Sequence, residues 1–256
     1  MDAQTNMDGK PKDATSADAQ LVDSALTGPD ANPGCTTRLG AVAWWRGETN
    51  AEDSAGNHDG EAMTGVSYAA GKVGVAFQFN GSSRISVADP SETFRFAGPF
   101  SVEMWVKRPA SAGNPGSPQV FIGKNQCVTL GCLSTPGSRW LLGLSASTTY
   151  PRFFINPNSN GNGLAAVREV LIPEQSFHHV VATYSGSAMS IYVDGNKTLV
   201  KSVVASSFAN AETELPFYIG GSATGEGFEG WIDEVVYYDR ALTDAEVAML
   251  HLNDCI

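Results

Sequence analysis

A short turn early in the chain concentrates oxygen atoms that could bind a hard cation. Asp53-Ser54-Ala55-Gly56-Asn57 combines a carboxylate and a side-chain amide around a glycine, and Glu48 lies shortly before it. Ca2+ takes about six to eight oxygen ligands from carboxylates, amides and backbone carbonyls. The spacing therefore predicts a structural calcium site that includes Glu48, Asp53 and Asn57. The same residues also fit a plain Asx turn, in which the side chains bond only to neighbouring amides.

Five tryptophans form the second group that could bind a ligand, because an aromatic face can stack on a sugar ring. Trp140 follows 111–136, a long stretch rich in Gly, Pro and Ser. Long loops at the rim of a rigid scaffold often carry specificity, so we expect Trp140 to be an exposed ligand platform. Trp105 and Trp231 are expected in the core. Simple core packing remains the alternative at each tryptophan.

Patterns for nucleophilic or phosphate chemistry are missing from the sequence. It contains no Gly-x-Ser-x-Gly elbow, no phosphate-binding loop and no dinucleotide fingerprint. The histidines lie in the oxygen-rich turn (His58), in a β-type run (His178 and His179) and near the C-terminus (His251). None of them predicts a catalytic triad.

The charge balance excludes two classes of partner. The formal net charge is −11 at pH 7 over 256 residues, so no excess of Lys or Arg is available to neutralise phosphates. We therefore expect no nucleic-acid partner, and the same acidity disfavours anionic membranes. No apolar run approaches the roughly 18 residues that a membrane-spanning helix needs, so no membrane insertion is predicted.

Two regions of different composition divide the chain. Residues 1–34 are rich in Asp, Ala, Thr and Pro and contain no aromatic residue, which predicts a disordered acidic linker. From residue 35 onward, turn signals separate short β-type runs, a spacing typical of an all-β sandwich. Asp194-Gly195 is a two-residue hairpin signal. Only 243–252 has a helical pattern, and Thr243 with Glu246 forms a capping box at its start.

Five segments resemble one family in the expected order. They are VAWWRGETNAEDSAGNHDG (42–60), AGKVGVAFQFNG (70–81), FSVEMWVK (100–107), SFHHVVATYSGSAMSIYVDG (176–195) and GWIDEVVYYDRAL (230–242). Together they resemble LamG-like jelly-roll domains of the concanavalin A-like lectin/glucanase superfamily. The resemblance implies an all-β, two-sheet antiparallel jelly-roll sandwich over residues 35–256, with one short C-terminal helix.

The resemblance extends the metal hypothesis. Members of this family often hold a structural Ca2+ between the turn after the first strand and the Asp of the closing IDE motif. That Asp is Asp233 here, so the expected ligand set becomes Glu48, Asp53, Asn57 and Asp233. Alternatively, Asp233 could bond only to nearby backbone amides.

The four cysteines are expected to form two disulfides. Cys127 and Cys132 enclose a loop short enough for a local bridge. Terminal strands are neighbours in a jelly roll of the resembled family, which implies a second bridge between Cys35 and Cys255. Disulfides persist in oxidising compartments, so we expect an exported protein whose signal is not part of this chain. Four reduced, buried thiols are the alternative.

The superfamily includes glucanases, which makes a paired-carboxylate site worth testing. Retaining glycosidases hold two carboxyl groups about 5–5.5 Å apart. The glucanase strand of the Glu-x-Asp-x-x-Glu type is missing, and Glu226 and Glu229 lie in a Gly-rich turn. Asp233 and Glu234 are adjacent, so a regular strand would point them to opposite faces. The sequence therefore predicts a protein that is not an enzyme.

These observations lead to one expected function and two alternatives. We expect an extracellular or cell-surface, non-catalytic binding or adhesion module, monomeric, with a glycan as ligand. The first alternative is a protein-interaction or structural module of a surface assembly, with a surface protein as partner. The second is a diverged glycoside hydrolase. The assignment depends on fold analogy, and a fold by itself does not determine function.

Overall fold

The structure is a computed structural model that describes residues 38–95, 98–110, 118–124, 139–145, 149–156, 164–167, 171–202, 215–224 and 226–252. The chain divides into two units, Met1–Pro33 and Gly34–Ile256. The expected linker and all four cysteines lie outside the described residues. Within the described ranges, no helix is both long and apolar enough to cross a membrane.

The described residues form fifteen strands and one helix. In chain order they are β1 (Ala43–Trp45), β2 (Gly60–Ala62), β3 (Ser67–Ala70), β4 (Val75–Asn80), β5 (Ile85–Val87), β6 (Phe100–Lys107), β7 (Gln119–Lys124), β8 (Arg139–Leu144), β9 (Pro151–Asn156), β10 (Leu164–Val167), β11 (Phe177–Tyr184), β12 (Ala188–Val193), β13 (Asn196–Ser202), β14 (Phe217–Ile219), β15 (Glu229–Tyr238) and α1 (Asp244–Leu252).

These strands make two antiparallel sheets. The first has the order β13-β12-β11-β6-β15-β4-β3, with β1 also paired to β15, and the second has the order β10-β9-β8-β7-β14-β5-β2. The main core lies between the sheets and takes Val102, Met104 and Val106 from β6 and Phe121 and Ile122 from β7. Alternate residues of β6 turn away from this core, whereas the irregular pairing of β7 between Val120 and Ile122 allows the consecutive residues Phe121 and Ile122 both to join it. The two-sheet jelly-roll prediction is confirmed.

The central strand β15 is irregular. Its pairing with β6 shifts between Asp233 and Val236, and Glu234 has a φ of 52°. Such a bulge adds one residue to the strand and re-aims the side chains around it. Ile232 and Val235 face the main core, whereas Val236 packs on the opposite, outer face of the first sheet.

Local sequence signals produce the expected hairpin and helix. Asp194 and Gly195 both have positive φ, 52° and 73°, in the tight turn between β12 and β13. At the start of α1, the Thr243 hydroxyl accepts a hydrogen bond from the Glu246 amide at 3.2 Å, and the Glu246 carboxylate accepts one from the Thr243 amide at 2.8 Å. Val247 of the helix is buried against the outer face of the first sheet.

Candidate functional site

Asp233 is fully buried on the outer side of β15, and its two carboxylate oxygens have different surroundings. Oδ2 accepts hydrogen bonds from the backbone amides of Lys72 at 2.7 Å and Val73 at 3.0 Å. Oδ1 has no hydrogen-bond partner among the described residues. Burial, followed by the charges of Glu234 and Glu48, raises the pKa of Asp233 to about 8 despite the two amide bonds. A buried carboxylate with an unpaired oxygen is a candidate ligand for a cation.

Glu48 approaches the same place from the loop after β1. Its Oε2 accepts a hydrogen bond from the Val75 amide at 3.1 Å. The turn between β3 and β4 wraps the two acids closely: a Cβ on Gly74 would collide with the Glu48 carboxylate, and one on Gly71 would collide with that of Asp233. No cluster of three or more His, Cys, Asp or Glu side chains suited to a metal occurs in the described ranges. The oxygen chemistry therefore fits Ca2+ only if backbone carbonyls complete the ligand set.

Asp53 does not join this pair. Its Oδ1 accepts hydrogen bonds from the amides of Trp44 at 2.8 Å and Ala55 at 3.0 Å, and its Oδ2 accepts one from His58 at 3.0 Å. The carboxylate is thus used to close its own turn and to fix the turn to β1. Asn57 is solvent-exposed in that turn. Because no three His, Cys, Asp or Glu side chains come together for a metal in the described ranges, Asp53 does not complete a calcium site with Glu48 and Asp233, and the part of Asn57 stays a prediction.

Trp140 is buried, so the expectation that it is an exposed platform is wrong. It is 0% exposed, and its ring lies 4.9 Å from that of Phe100 in the main core. Its indole Nε1 donates a hydrogen bond to the Phe94 carbonyl oxygen at 2.8 Å. Trp140 precedes Leu141, which faces outward in a separate small cluster, and strand alternation therefore turns Trp140 inward.

Trp231, expected in the core, is half-buried on the outer face of the first sheet. It lines a cavity of about 210 Å³. Trp231 alternates with the core residue Ile232 along β15, which puts its ring on the outer face. The cavity is lined by both polar and apolar residues, which are Ser67, Gln78, Phe79, Asn80, Pro109, Glu229, Gly230 and Trp231.

The polar groups of the cavity lie on neighbouring strands. Ser67 of β3 donates a long hydrogen bond of 3.4 Å to Gln78 Oε1 on β4. Asn80 Oδ1 accepts hydrogen bonds from the amides of Ser82 and Ser83 at 3.0 and 2.9 Å, which fixes the orientation of the Asn80 amide group. Glu229, opposite Asn80 in the register, is exposed. The cavity thus offers fixed donors and acceptors beside an aromatic face.

A cross-strand row extends from this cavity over the outer face. We define it by its members in register, which are Ser67, Gln78, Trp231, Lys107 and Phe177. The Lys107 ammonium lies 4.2 Å from the centre of the Trp231 ring and 4.7 Å from that of Phe177. Cation–π attraction at such distances fixes the ammonium between the two rings. Lys107 makes no ion pair with any described carboxylate.

A second polar cluster on the outer face is fully buried and does not line the cavity. Glu103 pairs with Arg38, accepts a hydrogen bond from the Tyr238 hydroxyl at 2.9 Å and lies 3.1 Å from His179 Nε2. Burial alone would raise the pKa of Glu103, but the Arg38 charge and the His179 and Tyr238 contacts lower it to about 2. Glu103 is therefore an ionised structural group.

The carboxylates do not form a hydrolytic pair in the cavity. Because of the bulge, Asp233 and Glu234 both lie on the outer side of β15, so the expectation of opposite faces is wrong. Both are nevertheless buried, and Glu234 accepts a hydrogen bond from Trp44 Nε1 at 2.6 Å. Among the described residues, Glu229 is the one carboxylate that lines the cavity. Retaining and inverting glycosidases each need two.

Ser176, His178 and Asp194 form a hydrogen-bonded series that the sequence did not predict. The Ser176 hydroxyl lies 2.8 Å from His178 Nε2, and His178 Nδ1 lies 2.8 Å from Asp194 Oδ2. The atoms match the order of a Ser-His-Asp triad. Asp194 Oδ1 also accepts a hydrogen bond from the His179 amide at 3.0 Å, which anchors the hairpin to β11. The series therefore has a structural role whatever its reactivity.

Solved structures share this fold. Domain 4 of AbnA, a GH43 extracellular arabinanase from Geobacillus stearothermophilus solved in complex with arabinotriose, is 22% identical, with a TM-score of 0.65 over 82% of this chain and 98% of that domain. The binding domain of botulinum neurotoxin serotype D is 13% identical, with a TM-score of 0.63 over 83% of this chain and 50% of the other.

A third similar structure belongs to an enzyme. Trypanosoma rangeli sialidase, in complex with the inhibitor DANA, is 18% identical, with a TM-score of 0.60 over 84% of this chain and 33% of the sialidase. This chain thus spans half of the toxin domain and a third of the sialidase. At these identities the likeness shows the fold alone, and the fold occurs both in binding domains and in chains of glycosidases.

Sequence comparison assigns the family. Among curated protein sequences, none matches this chain. The family model described as concanavalin A-like lectin/glucanases superfamily matches residues 79–248, more than half of the chain and including β6, β11, β12 and β15. The chain belongs to the concanavalin A-like lectin/glucanase superfamily, in its laminin G-like branch.

Proposed function

We propose that this chain is an exported, non-catalytic carbohydrate-binding domain whose ligand occupies the cavity beside Trp231. One observation carries the proposal: a half-exposed tryptophan lines a cavity of about 210 Å³ together with the polar side chains of Ser67, Gln78 and Asn80. A sugar ring has apolar C–H faces and a polar rim. The aromatic face would stack on the former and the polar side chains would bind the latter.

The comparisons support this proposal at the level of the fold. Domain 4 of AbnA, which this chain covers almost completely, was solved with arabinotriose. Another botulinum neurotoxin serotype D structure contains N-acetylneuraminic acid. The arabinanase is described as extracellular, which agrees with the export that we propose here. Neither likeness identifies the ligand of this chain.

A binding assay against a glycan panel tests the proposal. A small polar site competes with water, so we expect weak binding, with a Kd nearer millimolar than nanomolar, or about −4 kcal/mol. Titration calorimetry with soluble oligosaccharides and affinity electrophoresis with polysaccharides would detect it. Loss of binding in Trp231→Ala, with retention in Trp140→Phe, is the expected pattern. Absence of binding to every glycan of the panel would contradict the proposal that this chain binds carbohydrate.

The non-catalytic part of the proposal has its own test. Glu229 is the one carboxylate among the described residues that line the cavity. Hydrolysis of a glycosidic bond needs two carboxyl groups. We expect no release of reducing ends from any glycan that binds. The Ser176–His178–Asp194 series is the feature that most strongly suggests catalysis, so the protein should also be treated with a fluorophosphonate probe, which labels nucleophilic serines. Labelling that disappears in Ser176→Ala, or turnover that disappears in Glu229→Gln, would make this chain an enzyme.

The proposal includes a structural Ca2+ held by Glu48 and Asp233. It is supported by the buried, unpaired Oδ1 of Asp233 and by the second carboxylate that approaches it. The Ca2+ would neutralise two acids at the point where the loop after β1, the β3–β4 turn and β15 meet. Backbone carbonyls of that turn would supply further oxygen ligands. Its role would be to fix these segments, with no part in chemistry.

One observation favours the alternative of a protein-interaction module. β3 (Ser67–Ala70) is the last strand of its sheet and pairs only with β4 among the described strands. A free edge can add a strand from a partner chain. The Ala70 amide points away from β4, because Ala70 and Val75 form a non-hydrogen-bonded pair of the ladder, so Ala70→Pro removes a donor from this edge and should weaken such an interaction. Glycan binding that survives in Ala70→Pro would separate the two functions.

A further inference from the structure

We infer that the ligand of the Trp231 cavity is an acidic sugar chain, one with a uronate residue whose carboxylate pairs with Lys107. The inference rests on the proposed carbohydrate function and deepens it. It comes from the juxtaposition of Lys107 with the cavity, and from the position of this cation between two aromatic rings on an otherwise acidic protein.

Lys107 is the cation available beside the cavity. Acids outnumber bases by 27 to 16 in this chain, yet no described carboxylate lies within ion-pair distance of the Lys107 ammonium. Other described lysines do have acidic partners: Lys124 pairs with Asp89 and Lys197 with Asp244. Lys107 instead contacts ring faces, which stabilise its charge but cannot neutralise it.

The register puts Lys107 where a bound chain would pass. Trp231, Lys107 and Phe177 face each other across β15, β6 and β11. Adjacent strands are about 4.8 Å apart, so the two aromatic residues stand roughly 10 Å apart with the ammonium between them. That span accommodates about two sugar units of an extended chain. A sugar stacked at Trp231 would therefore direct its neighbour over Lys107.

The remaining polar groups set the direction in which the sugar ligand would lie across the cavity. Lys107 lies on the β6 side of Trp231, whereas Gln78 lies on the β4 side. Glu229 is exposed next to Asn80, two residues before Trp231 on the same strand. A ligand carboxylate would be repelled at the Glu229 end and attracted at the Lys107 end. Hydroxyl groups suit the Glu229 end, because they can donate to a carboxylate.

The test compares two forms of one oligosaccharide on the full chain. Trigalacturonate and its methyl ester have the same rings and linkages and differ only at the carboxyl groups, which are charged in the acid and neutral, with a methyl group, in the ester. We expect trigalacturonate to bind about tenfold more tightly than the ester, as one charge-assisted hydrogen bond would give. Higher salt should weaken binding of the acid and leave that of the ester unchanged.

Two variants assign the effect to one side chain. Lys107→Met keeps the aliphatic stem between the rings and removes the charge, so the preference for the acid should vanish. Lys197→Met removes an equal charge from the pair with Asp244, away from the cavity, and should keep the preference. Intrinsic tryptophan fluorescence reports the binding, and circular dichroism reports the fold.

The outcomes separate this inference from the function on which it rests. If the ester binds as tightly as the acid, or the acid preference persists in Lys107→Met, the inference is overturned. If only neutral glycans bind, and Trp231→Ala abolishes that binding, the inference fails while the proposed function stands. If neither form binds and no glycan of the panel does, the proposed function itself falls.

Discussion

Asp233 and Glu234 are consecutive in the chain, yet both carboxylates lie on the outer side of β15. The bulge between Asp233 and Val236, with Glu234 at a φ of 52°, inserts the extra residue that makes this possible. The two acids then separate in role. Glu234 bonds to Trp44 and faces Arg38 and Arg46, whereas Asp233 meets Glu48 and the β3–β4 turn. The bulge thus gives Glu234 a position from which it anchors β1 and leaves Asp233 as a candidate cation ligand.

Replacing the Asp233 carboxyl group by an amide should abolish stabilisation by calcium. In the wild type, a ligand that binds only the native state adds RT ln(1 + [L]/Kd), or about 2.7 kcal/mol at a hundredfold excess over Kd. We expect Ca2+ to raise the melting temperature of the wild type relative to EDTA. Asp233→Asn, which can still accept the amide hydrogen bonds of Lys72 and Val73, should melt at the same temperature in both.

Asp53→Ala provides the matched control for the calcium prediction. It removes the acceptor for three backbone amides, so it should lower the free energy of unfolding by about 1–3 kcal/mol. Its melting temperature should still rise with Ca2+. A calcium response lost in Asp53→Ala and kept in Asp233→Asn would reverse our assignment of the site.

Trp231→Ala should mainly weaken glycan binding, whereas Trp140→Ala should mainly lower the stability of the fold. Trp231 is half-buried beside the cavity, so Trp231→Ala should weaken the already weak glycan binding at least tenfold, below detection, and cost only about 1 kcal/mol of stability. Trp140 is fully buried, and Trp140→Ala should cost about 3–5 kcal/mol. Urea unfolding measures the stabilities and titration calorimetry measures the affinities.

Trp140→Phe keeps the tryptophan comparison valid if Trp140→Ala does not fold. It retains an aromatic ring in the core and loses the hydrogen bond to the Phe94 carbonyl. Its affinity for the glycan should equal that of the wild type. Equal affinity of Trp231→Ala and the wild type would show that sugar binds elsewhere.

The fold could be predicted from sequence because local rules and the family pattern agree. Asp194-Gly195 supplies the two positive φ angles of a tight hairpin, and Thr243 with Glu246 closes the first turn of the helix. Both signals depend on a few neighbouring residues. Contacts with distant parts of the chain do not change these two local structures, and the structure confirms both predictions.

The candidate site was harder to predict because it depends on strand facing and on a bulge. Neighbouring residues of a strand point to opposite faces, so Trp231 must lie on the outer face if Ile232 faces the core. The sequence did not show which of the two faces the core. No local residue pattern predicts the bulge at Glu234, because Gly and Asn are the residues that commonly adopt a positive φ and this position is a Glu. Asp53 fitted two roles by sequence, and only its hydrogen-bond partners decide between them.

The cysteine pairing remains a prediction, because all four cysteines lie outside the described residues. We expect bridges Cys35–Cys255 and Cys127–Cys132. The long loop closed by the first should contribute about 4–5 kcal/mol in the chain-entropy model, so reduction should lower the stability strongly. Non-reducing peptide mapping identifies the pairs. Free thiols at all four positions, or crossed pairs, would also weaken the proposal of export.

Glu103 makes the stability of the domain depend on acid pH. Its carboxylate is fully buried with Arg38, His179 and Tyr238. Burial would raise its pKa, but its partners outweigh burial and lower the pKa from 4.5 to about 2. A carboxyl group with a lowered pKa in the native state stabilises that state above the unfolded pKa. This stabilisation is lost as the pH falls from 4.5 towards 2.

We therefore expect the gap in stability between the wild type and Glu103→Gln to narrow in acid. At pH 6.5 the ionised carboxylate contributes about 3 kcal/mol, and at pH 3 about 2 kcal/mol of that is lost. Urea unfolding of both proteins at the two pH values measures the gap. Glu61→Gln removes the same charge from an exposed position and should differ little from the wild type at either pH. A gap between wild type and Glu103→Gln that stays constant from pH 6.5 to pH 3 would mean that Glu103 is not held ionised by its buried partners.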